Sequence, residues 1–284
     1  LADSHSCPDL FQLAVDGDPA QTKWVLWGAN TRYMIGDFDG TRFIPEGELY
    51  RQQPAGTAYA AQTWNDIPAA DGRTIQIAWF RTATPGMPFT HCMTLPYELS
   101  LKRAGSTVHL CAEPARELKE LRTNHRQWRD IVLDVEHLPE FNPRQPLTPA
   151  RRGDWGRHPL GTVGDTLDIE CVIDLGSAAA VALAIRGVSV VVDVQNSCIA
   201  IEGGQARLQT PTSAPFTAAG GNIHLRILVD RTTVEVFADA GRVVLPLGVI
   251  PVDDNHALAV AAKGGRAAII ALDIWVLRSI WHTR

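Results

Sequence analysis

The chain has 284 residues, 26 basic and 31 acidic, giving a formal net charge of −5, and 45% of its residues are hydrophobic. That length builds one large or two medium domains with real cores, and the composition excludes disordered and fibrous classes. Charges of both signs are interspersed, so no basic face is set aside for nucleic acid, and the apolar runs Ala179–Ile185 and Val188–Val194 are too short for membrane helices.

The pattern along the chain is almost all β. Turn signals recur at Val15-Asp16-Gly17-Asp18-Pro19, Asp37-Phe38-Asp39-Gly40 and Ala70-Asp71-Gly72, and again at Glu202-Gly203-Gly204 and Ala240-Gly241. Glycine and aspartate suit such places because they tolerate positive φ or bond their own backbone. Between the signals lie short alternating runs. Thr74–Trp79 puts Ile75, Ile77 and Trp79 on one strand face; Ile223–Ile227 alternates, and in Thr232–Phe237 Val234 and Val236 alternate with Thr233, Glu235 and Phe237. Short strands at this spacing predict propeller blades or a sandwich rather than a βαβ fold.

One stretch departs from this. Glu113–Arg122 has Pro114 near its start, good helix formers, and Leu118 and Leu121 three apart, which predicts a short helical connector. The Pro-rich stretch from Leu138 to Pro149 then reads as a loop. Composition also changes here, from aromatic-rich to Val/Ala/Ile-rich. The predicted division is a propeller portion over 1–112, a helical linker over 113–130 and a β-sandwich over 131–284.

Cys7, Cys92, Cys111, Cys171 and Cys198 are scattered without a C-x-x-C pair, so neither a zinc site nor a disulfide framework is expected. The sequence starts at Leu1 with no charged-then-apolar leader, as a processed or shortened product would.

Several strings carry a resemblance. Ser6-Cys7-Pro8-Asp9-Leu10-Phe11 resembles the Glu-Cys-Pro-Asp-Leu-Phe signature of glycoside hydrolase family 32, the β-fructosidases that include invertases, levanases and inulinases. Lys23–Ala29 followed by Tyr33–Gly40 resembles that family's fourth-blade hairpin, and Tyr59–Trp64 with Ile75–Trp79 its last blade. Met87-Pro88-Phe89 leading to Met93–Leu99 is similar to the closing strand, and Leu225–Phe237 to the sandwich motif. The resemblance implies an all-β fold: the C-terminal blades of a five-bladed propeller, followed by a sandwich. It also implies retaining chemistry at a terminal β-fructofuranosyl unit of sucrose, levan or inulin, with no cofactor and no metal. Such chemistry needs two carboxyl groups about 5 Å apart, one to attack the anomeric carbon and one to protonate the departing oxygen.

This sequence departs from the family where that chemistry resides. The Trp-Met-Asn-Asp-Pro-type string that holds the nucleophile is absent, as is the Arg-Asp-Pro string that binds fructosyl hydroxyls. Arg129-Asp130 is followed by Ile131 and lies beyond the connector, so it is no substitute. Ser6 stands where the resemblance implies the general-acid glutamate, and a hydroxyl is too weak an acid for that role; losing such a group costs about 10²- to 10⁴-fold. The chain is therefore expected to be inactive alone, with an N-terminal propeller segment as the implied missing partner.

Around Ser6, Cys7 and Asp9 are candidate substrate-binding residues, with Tyr59 and Trp79 as pocket aromatics. Each has a plainer role open to it. Asp9 serves the reacting centre or closes a turn; Cys7 is a small packed residue rather than a nucleophile; Trp79 leans towards the blade core and Tyr59 towards the pocket. Trp27 and Trp64 are weaker cases of the same kind. His5 beside Ser6 is not a Ser–His pair, because neighbours on an extended segment point to opposite faces. Asp230 and Glu235 are expected to make turns and interdomain hydrogen bonds, and His91, His109 and His224 lack ligand spacing. The rival expectations are a carbohydrate-binding module or pseudoenzyme, and a structural fragment without a ligand. By resemblance the protein acts on a fructose-containing oligo- or polysaccharide, without nucleic acid or membrane, in a secreted or periplasmic setting.

Overall fold

The structure, a computed structural model, describes residues 6–53, 56–134, 136, 155–203, 207–208, 212–216, 218, 221–250 and 255–281. His5, the whole Pro-rich stretch 138–149 and Gly204 of the fourth turn signal lie outside the described residues. The architecture is all-β: a partial propeller followed by a two-sheet sandwich.

The propeller portion consists of two antiparallel meanders. Strands Asp9–Val15, Asp18–Trp27, Arg32–Phe38 and Phe43–Arg51 form the first, turning at the predicted Asp16-Gly17 and Asp39-Gly40 and, between them, at residues 28–31, which carried no predicted signal. Ala58–Thr63, Thr74–Phe80, Tyr97–Ala104 and Thr107–Pro114 form the second, and the two-residue strand Cys92–Met93 pairs with Thr74–Phe80. Between the meanders the ladder is a single parallel pairing of Val15 with Leu101.

The predicted linker over 113–130 is only partly helical. A 3-10 helix runs over Arg116–Leu121, while Thr107–Pro114 before it and Arg122–Asp134 after it are strands. Arg122–Asp134 belongs to the sandwich, paired along Arg266–Leu277. Arg122 and Arg129 lie on its outward face, and Arg126, on the inner face with Trp128, donates to the Leu160 carbonyl of the facing sheet, so charge on both faces hides the alternation that marks the inner strands.

The sandwich's larger sheet has, among the described residues, the order Arg122–Asp134, Arg266–Leu277, Leu167–Asp174, Ile223–Val229, Thr233–Ala238, Val243–Ile250, Arg207–Leu208. The facing sheet runs Trp155–Thr162, Ala257–Lys263, Ala180–Ile185, Val188–Asp193, Cys198–Gly203, Thr212–Pro215. Period-2 alternation sends Leu167, Ile169, Cys171 and Ile173 into the interior against Leu183, Val190 and Val192. Outward on that strand, Asp168 is fully buried between Arg122 at 2.7 Å and Arg226 at 2.9 Å.

The sheet's other face is not free. Leu228, Phe237 and Val244 point away from the sandwich core and join the propeller cluster of Tyr97, Leu110, Ala112 and Leu118. A strand covered on both faces explains why every residue of Thr233–Ala238 is buried. Backbones touch at the same joint. Thr57 donates its N–H to the Pro246 carbonyl at 3.1 Å, and a Cβ on Gly56 (φ +124°) would lie 2.4 Å from that oxygen. Likewise Gly241 (φ +85°) is held so close to the Ala112 carbonyl that a side chain would meet it at 2.5 Å. All five cysteines are free thiols, and among the described residues no helix is long and apolar enough to cross a membrane.

Candidate functional site

The turn after Asp18–Trp27 organises the rim. Ala29 donates its N–H to the Ser6 carbonyl at 3.1 Å, and Ala60 donates to the Ala29 carbonyl at 3.0 Å. On the same turn Thr31 accepts from Gln52 N–H at 3.1 Å and donates its hydroxyl to the Gln53 carbonyl at 2.9 Å. Ser6, the Gln52–Gln53 corner and the strand carrying Tyr59 are thus stitched together by backbone bonds, which hold position regardless of side-chain chemistry.

Around that stitch the expected residues take definite places. Ser6 and Cys7 are exposed, and Cys7 has φ +48°. The expectation of a small packed cysteine is therefore not met: the left-handed backbone turns the residue to solvent, while its carbonyl accepts Gln62 Nε2 at 3.0 Å. Asp9 is half-buried, with Oδ2 accepting the Thr63 backbone N–H at 2.7 Å.

Tyr59 and Trp79 are directly opposite in the ladder, with ring centroids 6.4 Å apart and planes at 70°. The positive φ of Ala60 (52°) accompanies a bulge between Tyr59 and Gln62, and such bulges re-aim side chains. Trp79 is 41% exposed, so the lean towards a blade-core role does not hold. Gln76, Ala78 and Phe80 on the opposite face are buried, at no more than 2% exposure, and on the face of Trp79 burial runs from Ile75 at 3% to the exposed indole.

Two residues complete the cluster that the sequence did not single out for it. Arg81 lays its guanidinium 4.5 Å from the Tyr59 ring centroid and 5.9 Å from that of Trp79. His91 stands edge-on to Trp79 at 5.3 Å. Arg81 lies two residues from Trp79, just past the end of its strand, and that spacing is the available signal. His91 comes from a loop, where periodicity gives none. Gln52 and Gln53, also unforeseen, are buried behind the stitch, and their side-chain amides have no hydrogen-bond partner among the described residues.

The remaining candidates fall elsewhere. Trp27 is buried and stacks on Tyr33 at 6.3 Å, whereas Trp64 is exposed on its loop. Arg129 and Asp130 lie on the sandwich edge strand, where Arg129 pairs with Asp273 at 2.8 Å. Asp230 closes the turn between Ile223–Val229 and Thr233–Ala238 through its N–H to Thr233, and Glu235 bonds across the domain joint. Burial pushes the Cys92 thiol up to about 11, so it is no nucleophile at neutral pH. What the rim offers chemically is an aromatic wall, a guanidinium and an exposed hydroxyl. At position 6 it offers no carboxyl group.

Comparison with known proteins agrees with this fold. The family model described as Glycosyl hydrolases family 32 N-terminal domain matches residues 4–114, and that described as Glycosyl hydrolases family 32 C terminal matches 117–276. A levanase of Bacillus subtilis (strain 168) is 28% identical over 98% of this chain, which spans 43% of that protein. An extracellular exo-inulinase of Aspergillus niger is 22% identical over 97% of the chain and 55% of its own length. Among solved structures, exo-inulinase from Aspergillus awamori superposes with a TM-score of 0.78 at 22% identity, covering 97% of this chain and 57% of that one. Fructofuranosidase from Schwanniomyces occidentalis, complexed with fructose, gives 0.73 at 14% identity, covering 96% and 60%. The chain spans about half the length of these relatives.

Proposed function

From a chain that belongs to glycosyl hydrolase family 32, we propose a protein that holds β-fructofuranosyl units of sucrose, levan or inulin at the Tyr59–Trp79 rim and does not cleave them unaided. The observation that carries this reading is the placing of Ser6. Backbone bonds link Ser6 through Ala29 to Ala60, the neighbour of Tyr59, which supports taking Ser6 as the residue that stands where the resemblance puts the family's acid. A serine hydroxyl there accepts and donates hydrogen bonds to a sugar but cannot protonate a leaving oxygen near neutral pH. Within these 284 residues neither the nucleophile string nor the Arg-Asp-Pro string is present. Hydrolysis then requires a propeller segment bearing both, with an acid restored at position 6.

On this reading Trp79 supplies the apolar face for a fructosyl ring, Tyr59 its polar tip, and Cys7 and Asp9 frame the floor. The sandwich braces the propeller portion, with the division between them inside Arg116–Leu121. The relatives, a levanase and an extracellular exo-inulinase, support a fructan substrate and a secreted or periplasmic setting.

Calorimetric titration of the 284-residue chain with fructose, sucrose and a levan oligosaccharide tests the proposal. Binding without fructose release is expected, weakened about tenfold or more by Trp79→Ala. Adding an N-terminal propeller segment to the Ser6→Glu variant is expected to restore release. No heat with any of the three sugars sinks the binding, and fructose release by the unaltered chain sinks the deficit.

A further inference from the structure

The joint between propeller and sandwich contains an acid that the rim chemistry does not use. Glu235 projects from Thr233–Ala238 towards the propeller and is 1% exposed. One carboxyl oxygen accepts the Leu95 backbone N–H at 3.1 Å, and the other accepts the Tyr97 hydroxyl. The titratable groups that face it are Tyr97 from Tyr97–Ala104, Cys92 from Cys92–Met93, and Asp230 from the turn before its own strand. Leu228 and Pro246 stand opposite it on the flanking strands. Among the described residues the surroundings supply acids and neutral groups, and no cation.

The segment that Glu235 grips also builds the rim. Met93 pairs with Trp79 and Cys92 with Phe80 in the ladder, and His91, next along, stands edge-on to the Trp79 ring. Leu95 and Tyr97, the two donors to Glu235, follow directly.

We propose that Glu235 is a pH-dependent latch between the domains: while protonated it holds the segment Cys92–Tyr97, and with it the His91–Trp79 wall, and on ionising it lets that segment loosen. An ionised carboxylate at this place has two hydrogen bonds but no counter-charge, and its desolvation is relieved when the joint opens to water. Burial raises the Glu235 carboxyl from its ordinary 4.5 to about 7. The folded chain therefore binds more protons than the unfolded one between those values. Stability falls as pH rises through that window and levels off above it. The latch stands on the joint's geometry, whatever ligand the rim takes.

Amide hydrogen exchange of the full chain between pH 5.5 and 8.5, corrected for intrinsic rates, tests this. Protection of segments 92–97 and 233–238 is expected to drop about tenfold or more as pH rises. Glu235→Gln, which keeps the acceptor and cannot ionise, is expected to abolish that drop. Should that variant not fold, Tyr97→Phe removes a donor that favours the ionised form and is expected to move the drop to higher pH. Protection that does not vary with pH in the native chain overturns the latch. So does a pH profile in Glu235→Gln, or in Tyr97→Phe, that is the same as the native one.

Discussion

The Asp9 carboxylate accepts the Thr63 backbone N–H at 2.7 Å, fastening the first strand of one propeller meander to the first strand of the next. Gln62 repeats the fastening one residue earlier, through its side chain to the Cys7 carbonyl. The two meanders share a single ladder pairing, so these side-chain bonds carry much of their registration.

Asp9→Ala leaves the Thr63 N–H without its acceptor and is expected to destabilise the chain by about 1.5–3 kcal/mol, the range for hydrogen bonds to charged groups. Asp9→Asn, whose carbonyl oxygen still accepts, is expected to lose less than half of that. Urea titration followed by tryptophan fluorescence checks both. Equal losses in the two variants would mean that the charge matters more than the bond.

Phe237 lies 5.2 Å from Tyr97 in an edge-to-face contact at the heart of the domain joint. Phe237→Ala is expected to cost about 3–5 kcal/mol, as large-to-small changes of buried aromatics do. The propeller portion should be exposed to protease before the sandwich, because Leu228 and Val244 remain as the sandwich's contribution to the propeller's core. Limited proteolysis with mass mapping gives the order.

Asp168 is fully buried between two arginines, of which Arg122 also pairs with Glu170. Asp168→Ala is expected to destabilise by about 3–5 kcal/mol, since removing one member of a buried ion pair leaves the Arg226 charge uncompensated. Adding Arg226→Met to that variant is expected to recover part of the loss, and equilibrium unfolding of the two chains shows whether it does.

Arg73 bridges the last blade to the 3-10 helix, with Nη2 2.7 Å from Glu117 and further contacts to Asp71. Hydrogen bonding from Arg73 holds the Glu117 carboxyl at about 2, below its ordinary 4.5. A depressed carboxyl stabilises the fold above its unfolded value and stops doing so as pH falls towards the folded one. Half of the Glu117 side chain is exposed, so solvent screening keeps the contribution small. Thermal melts between pH 5 and 2.5 are expected to fall less steeply for Arg73→Gln than for the native chain.

Legibility in the sequence followed burial geometry. Runs with polar residues at their outward positions, such as Ile223–Ile227 with His224 and Arg226, alternate visibly, and their turns carry the glycines and aspartates that tight reversals require. Arg122–Asp134 escaped because its residues face solvent at a sheet edge, where arginines and a tryptophan stand in for alternation. At the rim, Ser6, Tyr59 and Trp79 were identifiable by their resemblance to a family. The exposure of Trp79 depends on which side of its blade the chain leaves bare, and no window of neighbouring residues contains that. Arg81 and His91 join the cluster through cross-strand and loop contacts, and Glu235 is sunk by a domain more than a hundred residues upstream.

The 12-residue strand Arg266–Leu277 sits inside its sheet, with Arg122–Asp134 on one side and Leu167–Asp174 on the other. It is also among the last parts of this sequence to leave the ribosome. Until it emerges, Arg122–Asp134 and Leu167–Asp174 have no ladder pairing to hold them, only the Arg122 side chain reaching Asp168 and Glu170, and the larger sheet has an open slot where aggregation can start. A nascent chain halted before residue 266 is therefore a natural client for a chaperone, and translation past that point is what closes the sandwich.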